Sequence, residues 1–250
     1  MPLKTSRKAI ILSLLTFISL ELIGWQVGRI YLIAVVMILL LLVSAWLSLS
    51  KKTVTYRLMV GAVAATNFLA LVSFLTIVNS SLVRQLLIIG AAILQLWYWR
   101  RGKSAWFNNQ TSAWWRLVNA INLLTVWLAA ATLYGWQSFL AWPIFWSWSI
   151  WAIFLAIMIW LDYQVAELPL TKHWPIILAN WLIGGELFLA IYFLPSSNLI
   201  QGYLLLIGYY LASQIGRTSL LKINTAKRLR YQFLVIIISL ILVLATAKWF

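Results

Sequence analysis

The sequence predicts an all-α polytopic membrane protein of about nine transmembrane helices, read as two parallel four-helix repeats followed by a ninth helix. Three observations predict it. Of 250 residues, 64% are hydrophobic and 9% charged, with a mean hydropathy of +0.95, which is far from the composition of water-soluble domains. Apolar runs of spanning length, about 20 residues, recur along the whole chain. The 19 Lys and Arg residues gather in every second connection between those runs, as the positive-inside rule requires of a polytopic protein.

The first run, Ala9 to Ile23, follows Lys4, Arg7 and Lys8 as a secretory signal would. It contains Glu21 and no small-x-small cleavage site, so it reads as a retained span. Spans two to four are Ile30 to Leu49, Leu58 to Val78 and Gln85 to Trp99. Spans five to nine are Leu117 to Tyr134, Ser138 to Leu161, Trp174 to Phe193, Gln201 to Leu221 and Tyr231 to Trp249. The breaks between them are short polar or charged segments, costly at the bilayer centre. With the N-terminus inside, 16 basic residues fall on the cytoplasmic side and only Arg29, Arg84 and Lys248 outside. That places the C-terminus outside and fits a bacterial or archaeal cytoplasmic membrane. The net charge of +15 is then a topogenic signal that also attracts anionic lipid headgroups, and no nucleic-acid partner is needed to explain it.

The chain reads as one integral membrane domain, 1–250, with internal units 1–110 and 111–224 and a final helix 225–250. Gly102-Lys103-Ser104 and Thr111 to Arg116 align without gaps, 114 residues on, with Gly216-Arg217-Thr218 and Thr225 to Arg230. Gly24-Trp25-Gln26 recurs as Gly135-Trp136-Gln137, each expected in an external turn, and Phe68-Leu69-Ala70 recurs as Phe188-Leu189-Ala190. An even number of spans per unit makes the copies parallel, with a natural cavity between them. Chance alignment of leucine-rich helices with basic loops is the alternative.

The residue inventory removes most chemistry. With no Cys and one His, the chain has no thiolate or multi-His metal site, disulfide framework or bis-His haem ligation. No metal and no cofactor is expected. No acidic pair falls on adjacent turns of a span, as metal-dependent lipid diphosphate chemistry would need, and no His-Glu-x-x-His, Walker or Gly-x-Gly-x-x-Gly motif occurs.

Among charged residues, Glu186 stands deepest, about 18 Å into span seven at 1.5 Å per residue. It follows Gly184 and Gly185, which let a ligand or another helix approach. This makes Glu186, Gly184 and Gly185 the candidate coupling or ligand-binding residues, against the alternative of a neutral Glu bonded to a neighbouring helix. Glu21 is expected to snorkel or pair with Arg29, and Asp162, Glu167 and His173 to lie solvated or interfacial between spans six and seven. Trp25, Trp97, Trp99, Trp136, Trp160, Trp174 and Trp249 fit an interfacial belt. Trp127 and the candidate cavity aromatics Trp146, Trp148, Trp151 and Trp181 lie deeper, where their indole N–H groups need acceptors; ordinary packing is the alternative. Gly208, Ala212 and Gly216 form a small-residue stripe expected to make a tight helix contact, within the chain or between subunits. Trp106, Phe107, Trp114 and Trp115 around Asn108, Asn109 and Gln110 suggest a short interfacial helix or a docking surface for a cytosolic partner.

Two function classes follow. One is a small transporter, or the membrane component of a transport or flippase system, with its site between the repeats and Glu186 as coupling residue. The other is a non-catalytic scaffold or subunit of a membrane complex. A lipid-modifying enzyme with an isolated Glu base is a distant third.

Overall fold

The computed structural model describes residues 3–25, 27–49, 53–108, 111–165 and 170–221, with a few positions between 234 and 245. Every regular element among them is helical: α1 (Leu3–Trp25), α2 (Ile30–Ser48), α3 (Val54–Leu75), α4 (Ser81–Asn108), α5 (Thr111–Leu140), α6 (Ile144–Val165), α7 (Leu170–Tyr192) and α8 (Asn198–Leu221), with one 3-10 turn at Val27–Arg29. Helix is what such a sequence must form in lipid, because no water is present to satisfy a backbone N–H or C=O left open. Six of the helical segments among the described residues are long and apolar enough to cross a membrane: Ile30–Ser48, Val54–Leu75, Ser81–Arg101, Arg116–Leu140, Ile144–Gln164 and His173–Tyr192. They carry the expected spans two to seven. α1 and α8 coincide with the first and eighth runs and fall outside those six. The expected ninth run, and most of the second copy of the aligned loop, lie largely outside the described residues.

Two boundaries differ from expectation for a local reason. The triplet Gly135-Trp136-Gln137 lies inside α5 and not in a turn, because one glycine does not end a helix that packing holds. The chain turns instead at Ala141, in the left-handed region at φ 49, and Pro143, whose carbonyl accepts from the Trp146 and Ser147 amides to start α6. Likewise Trp106 and Phe107 belong to α4, which runs through Asn108, and Trp114 and Trp115 to α5, which starts at Thr111, while Asn109 and Gln110 lie outside the described residues. In α7 the kink falls at His173 (φ −121, ψ 18), and Pro175 occupies the first turn beyond it, where its missing N–H costs nothing.

The chain forms two compact units, Met1–Thr125 and Val126–Phe250. In the first, α1 packs along α4 and α2 along α3. Ser13 Oγ donates to the Ala92 carbonyl at 2.6 Å, linking α1 to α4, and Tyr98 Oη donates to the Val60 carbonyl at 2.7 Å, linking α4 to α3. Asn67 Nδ2 donates to Thr125 Oγ1 at 2.9 Å. Glu21 accepts from Gln85 Nε2 at 3.4 Å, so its partner is a neutral amide on α4 and not the exposed Arg29. Arg57 lies over the Trp46 ring and Arg101 over the Trp97 ring, the cation and indole arrangement suited to a headgroup layer.

In the second unit α7 packs against both α6 and α8. The core is a ladder of rings: Trp151 stacks on Phe188 at 5.6 Å and Phe188 on Tyr134 at 4.7 Å. Tyr134 Oη also donates to the Phe188 carbonyl at 2.9 Å. Two indoles tie α6 and α7 reciprocally, Trp151 Nε1 to the Gly184 carbonyl at 3.0 Å and Trp181 Nε1 to the Ala152 carbonyl at 2.8 Å. At the end of α7 the Gln201 amide reaches back from α8 to the Ile191 and Leu194 carbonyls, satisfying acceptors that a helix terminus leaves open. Gly202 is required by close approach, since a Cβ there would stand 2.8 Å from the Ala131 backbone nitrogen.

Candidate functional site

One face of α6 is buried along its length through Ser147, Trp151, Leu155, Met158 and Asp162. Their spacing of four, four, three and four residues is one stripe of a helix. Asp162 therefore continues the core stripe and is only 5% exposed; it is not solvated, which corrects half of the sequence expectation, and it stands two residues from the end of the Ile144–Gln164 span. The stripe itself was the signal that sequence reading missed. Two hydroxyls from α8 bind the same carboxylate oxygen: Tyr209 Oη donates to Asp162 Oδ2 at 2.7 Å and Ser213 Oγ at 2.9 Å. Tyr209 and Ser213 are one helical turn apart, so a single face of α8 presents both.

These groups border a partly open, mostly apolar cavity between α6, α7 and α8, lined by Ile159, Asp162, Tyr163, Asn180, Tyr209 and Ser213 among others. About 10 Å³ of it is open to the centre of a water-sized sphere, room for about one water or one ion. Small residues bring the walls together. A Cβ at Gly216 would stand 2.8 Å from Asn180 Nδ2 and 3.1 Å from Tyr163 Oη, and one at Gly208 would stand 2.6 Å from Leu187. Ala212 borders the cavity itself. The Gly208, Ala212, Gly216 stripe thus faces the inside of the second unit.

The deeper tryptophans have divided fates. Trp151, with no exposed surface, and the half-buried Trp181 have bonded indoles that tie α6 to α7. Trp127 Nε1 donates to the Leu199 carbonyl at 3.3 Å. Trp146 is 57% exposed, and Trp148 brings its buried N–H, which has no hydrogen-bond partner, next to Gly185.

Glu186 lies on the exposed side of α7 with Leu182 and Ile183. The expected inward orientation is not found, because Gly184, Gly185 and Phe188 take the buried face and a residue two positions from both Gly184 and Phe188 points away from it. Among the described residues, no group of three His, Cys, Asp or Glu side chains converges as a metal site would require.

No protein-family model matches this chain, and neither the curated proteins nor the solved structures contain a match. Function must therefore be argued from the site.

Proposed function

We propose that the chain is a small transporter, or the membrane component of a transport or flippase system, with the Asp162 cavity as its site. One observation carries this: a carboxylate buried near the end of the α6 span, held by two hydroxyls of α8 at the edge of a small, mostly apolar cavity. An ionisable group at membrane depth is expensive and is kept where an ion, proton or substrate passes. The proposal extends to nine spans in a prokaryotic cytoplasmic membrane, N-terminus inside and C-terminus outside, with the basic connections against anionic headgroups. In that orientation Asp162 belongs to the cytoplasmic half of α6, and Asn180 lies about 10 Å into the span of α7.

A two-copy repeat of four helices belongs to the same reading. It is supported by one like pairing of helices within each set. The first and fourth differ, α1 packing along α4 far more extensively than α5 along α8. The second and third meet as α2 with α3 and α6 with α7. The sets differ in their last pair, for α8 packs closely on α7 whereas α4 barely touches α3.

A scaffold or complex subunit is the second reading, and the exposure of Glu186 favours it. A carboxyl on a face otherwise made of Leu182 and Ile183 would need a polar partner on another protein. Exchange in the native host separates the two. Under the transport reading Asp162→Asn inserts and folds but fails to restore the phenotype of a host lacking the protein, while Glu186→Gln and Glu186→Leu restore it. Under the scaffold reading Asp162→Asn restores it, and Glu186→Leu abolishes co-purification with the partner.

A further inference from the structure

We propose that the exposed face of α7 is a dimer interface, where Glu186 meets the same residue of a second copy of this chain; this goes beyond the transport reading and does not rest on it. The first argument is where the residue stands. Two acidic side chains fall within the six apolar spans of the described residues, Asp162 and Glu186. Asp162 is buried and bonded, whereas Glu186 is exposed, about 9 Å from the Tyr192 end of its span at 1.5 Å per residue. Acidic side chains within spans almost always face protein or a water-filled cavity, so lipid is not the natural neighbour of this face. The second argument is that the surrounding helices bring no counter-charge. α5 beyond Arg116 and all of α6 contain no Lys, Arg or His, and those of α7 and α8, namely Lys172, His173 and Arg217, stand toward the opposite ends of their helices.

The third argument is pattern. Ala179, Ile183, Glu186, Ala190 and Phe193 are all exposed and follow one another at spacings of four, three, four and three residues. That is the seam along which two helices pack knobs into holes. The alanines on either side of Glu186 let the backbones approach, and a single polar residue in such a seam fixes register and partner number. The fourth argument is self-complementarity, which selects a second copy over an unrelated helix. A carboxylic acid is at once donor and acceptor, so two carboxyls holding a proton between them satisfy each other. A twofold axis along the membrane normal sets the same patch of both copies face to face, and so brings the two acids to equal depth.

The test uses the full-length protein, in which the lack of cysteine lets single thiols be placed without background. Ala190→Cys lies in the seam, and Leu178→Cys lies on the flank of the same exposed face. In membrane vesicles oxidised with copper phenanthroline, Ala190→Cys should form a disulfide-linked pair of chains, because the seam brings the two positions within disulfide reach. Leu178→Cys should not. The native chain, purified in mild detergent, should show the mass of two chains by light scattering. Glu186→Leu should weaken association about tenfold or more, through loss of reciprocal interhelical hydrogen bonds, and should reduce the Ala190→Cys disulfide to match. Glu186→Gln, whose amide is also donor and acceptor, should keep both. A single-chain mass with no Ala190→Cys product would overturn the proposal. So would a dimer that crosslinks at Leu178→Cys instead, or one that Glu186→Leu leaves at full strength. A Glu186→Leu chain that is monomeric yet restores the phenotype of a host lacking the protein would uphold the interface and leave the transport reading to each chain's own Asp162 cavity.

Discussion

Trp151→Ala should destabilise the folded protein by about 3–5 kcal/mol, the usual cost of emptying a fully buried aromatic site. Trp151 has no exposed surface, stacks on Phe188 and donates to the Gly184 carbonyl. In lipid the driving force is packing and hydrogen bonding and not the removal of apolar surface from water, so the lost volume is felt directly by the ring ladder. Trp151→Phe keeps most of that volume and loses the N–H, and should cost only about 1 kcal/mol. Unfolding of the reconstituted protein by titrated detergent denaturant measures both. Equal costs for Ala and Phe would mean that the hydrogen bond, and not the ring, holds α6 to α7.

The second large effect is expected at Asp162→Leu. The leucine is close in volume but offers no acceptor, so the half-buried Ser213 hydroxyl loses its carboxylate and Tyr209 keeps the longer bond to the Met158 carbonyl. A donor stranded in this way costs about 1–3 kcal/mol, and that loss is expected by the same unfolding measurement. Asp162→Asn retains an acceptor oxygen and should cost markedly less. Adding Tyr209→Phe and Ser213→Ala to Asp162→Leu removes both hydroxyls and should recover much of the loss, since apolar replacement of a whole polar set is often near neutral. No recovery in the triple variant would show that the carboxylate is held by other contacts.

The helical spans were legible because hydropathy and the alternation of Lys and Arg are properties of short segments. Runs two to seven reappear as α2 to α7, with ends moved by a few residues where a proline or a left-handed residue, as at Pro143 and Ala141, sets the turn. The site was not legible in the same way. Depth along the run singled out Glu186, yet depth says nothing of which side of the helix a residue occupies. Gly184 and Gly185 take the packed face of α7 and leave Glu186 on the exposed one. Asp162 was discounted for standing near the end of its run, although its register with Trp151, Leu155 and Met158 carries it into the core. Its partners lie on α8, 47 and 51 residues away, and that pairing is a matter of tertiary packing. The deep tryptophans show the same limit. Their need for acceptors could be read from their position in the chain, but only packing decides that Trp151 and Trp181 clamp two helices whereas Trp146 faces outward.

The central claim is that the Asp162 cavity is a working site reached from water, and not a sealed packing defect. Because the chain contains no cysteine, a single introduced thiol reports without background. Ser213→Cys preserves size and places the thiol at the cavity, while Leu182→Cys on the exposed side of α7 serves as the lipid-facing control. In membrane vesicles of defined orientation, a charged, membrane-impermeant thiosulfonate reagent should modify Ser213→Cys from the cytoplasmic side and leave Leu182→Cys unmodified, since the thiolate that reacts forms only where water enters. A Ser213→Cys thiol that stays inert from both sides of the intact membrane, yet reacts once the protein is denatured, would contradict the account.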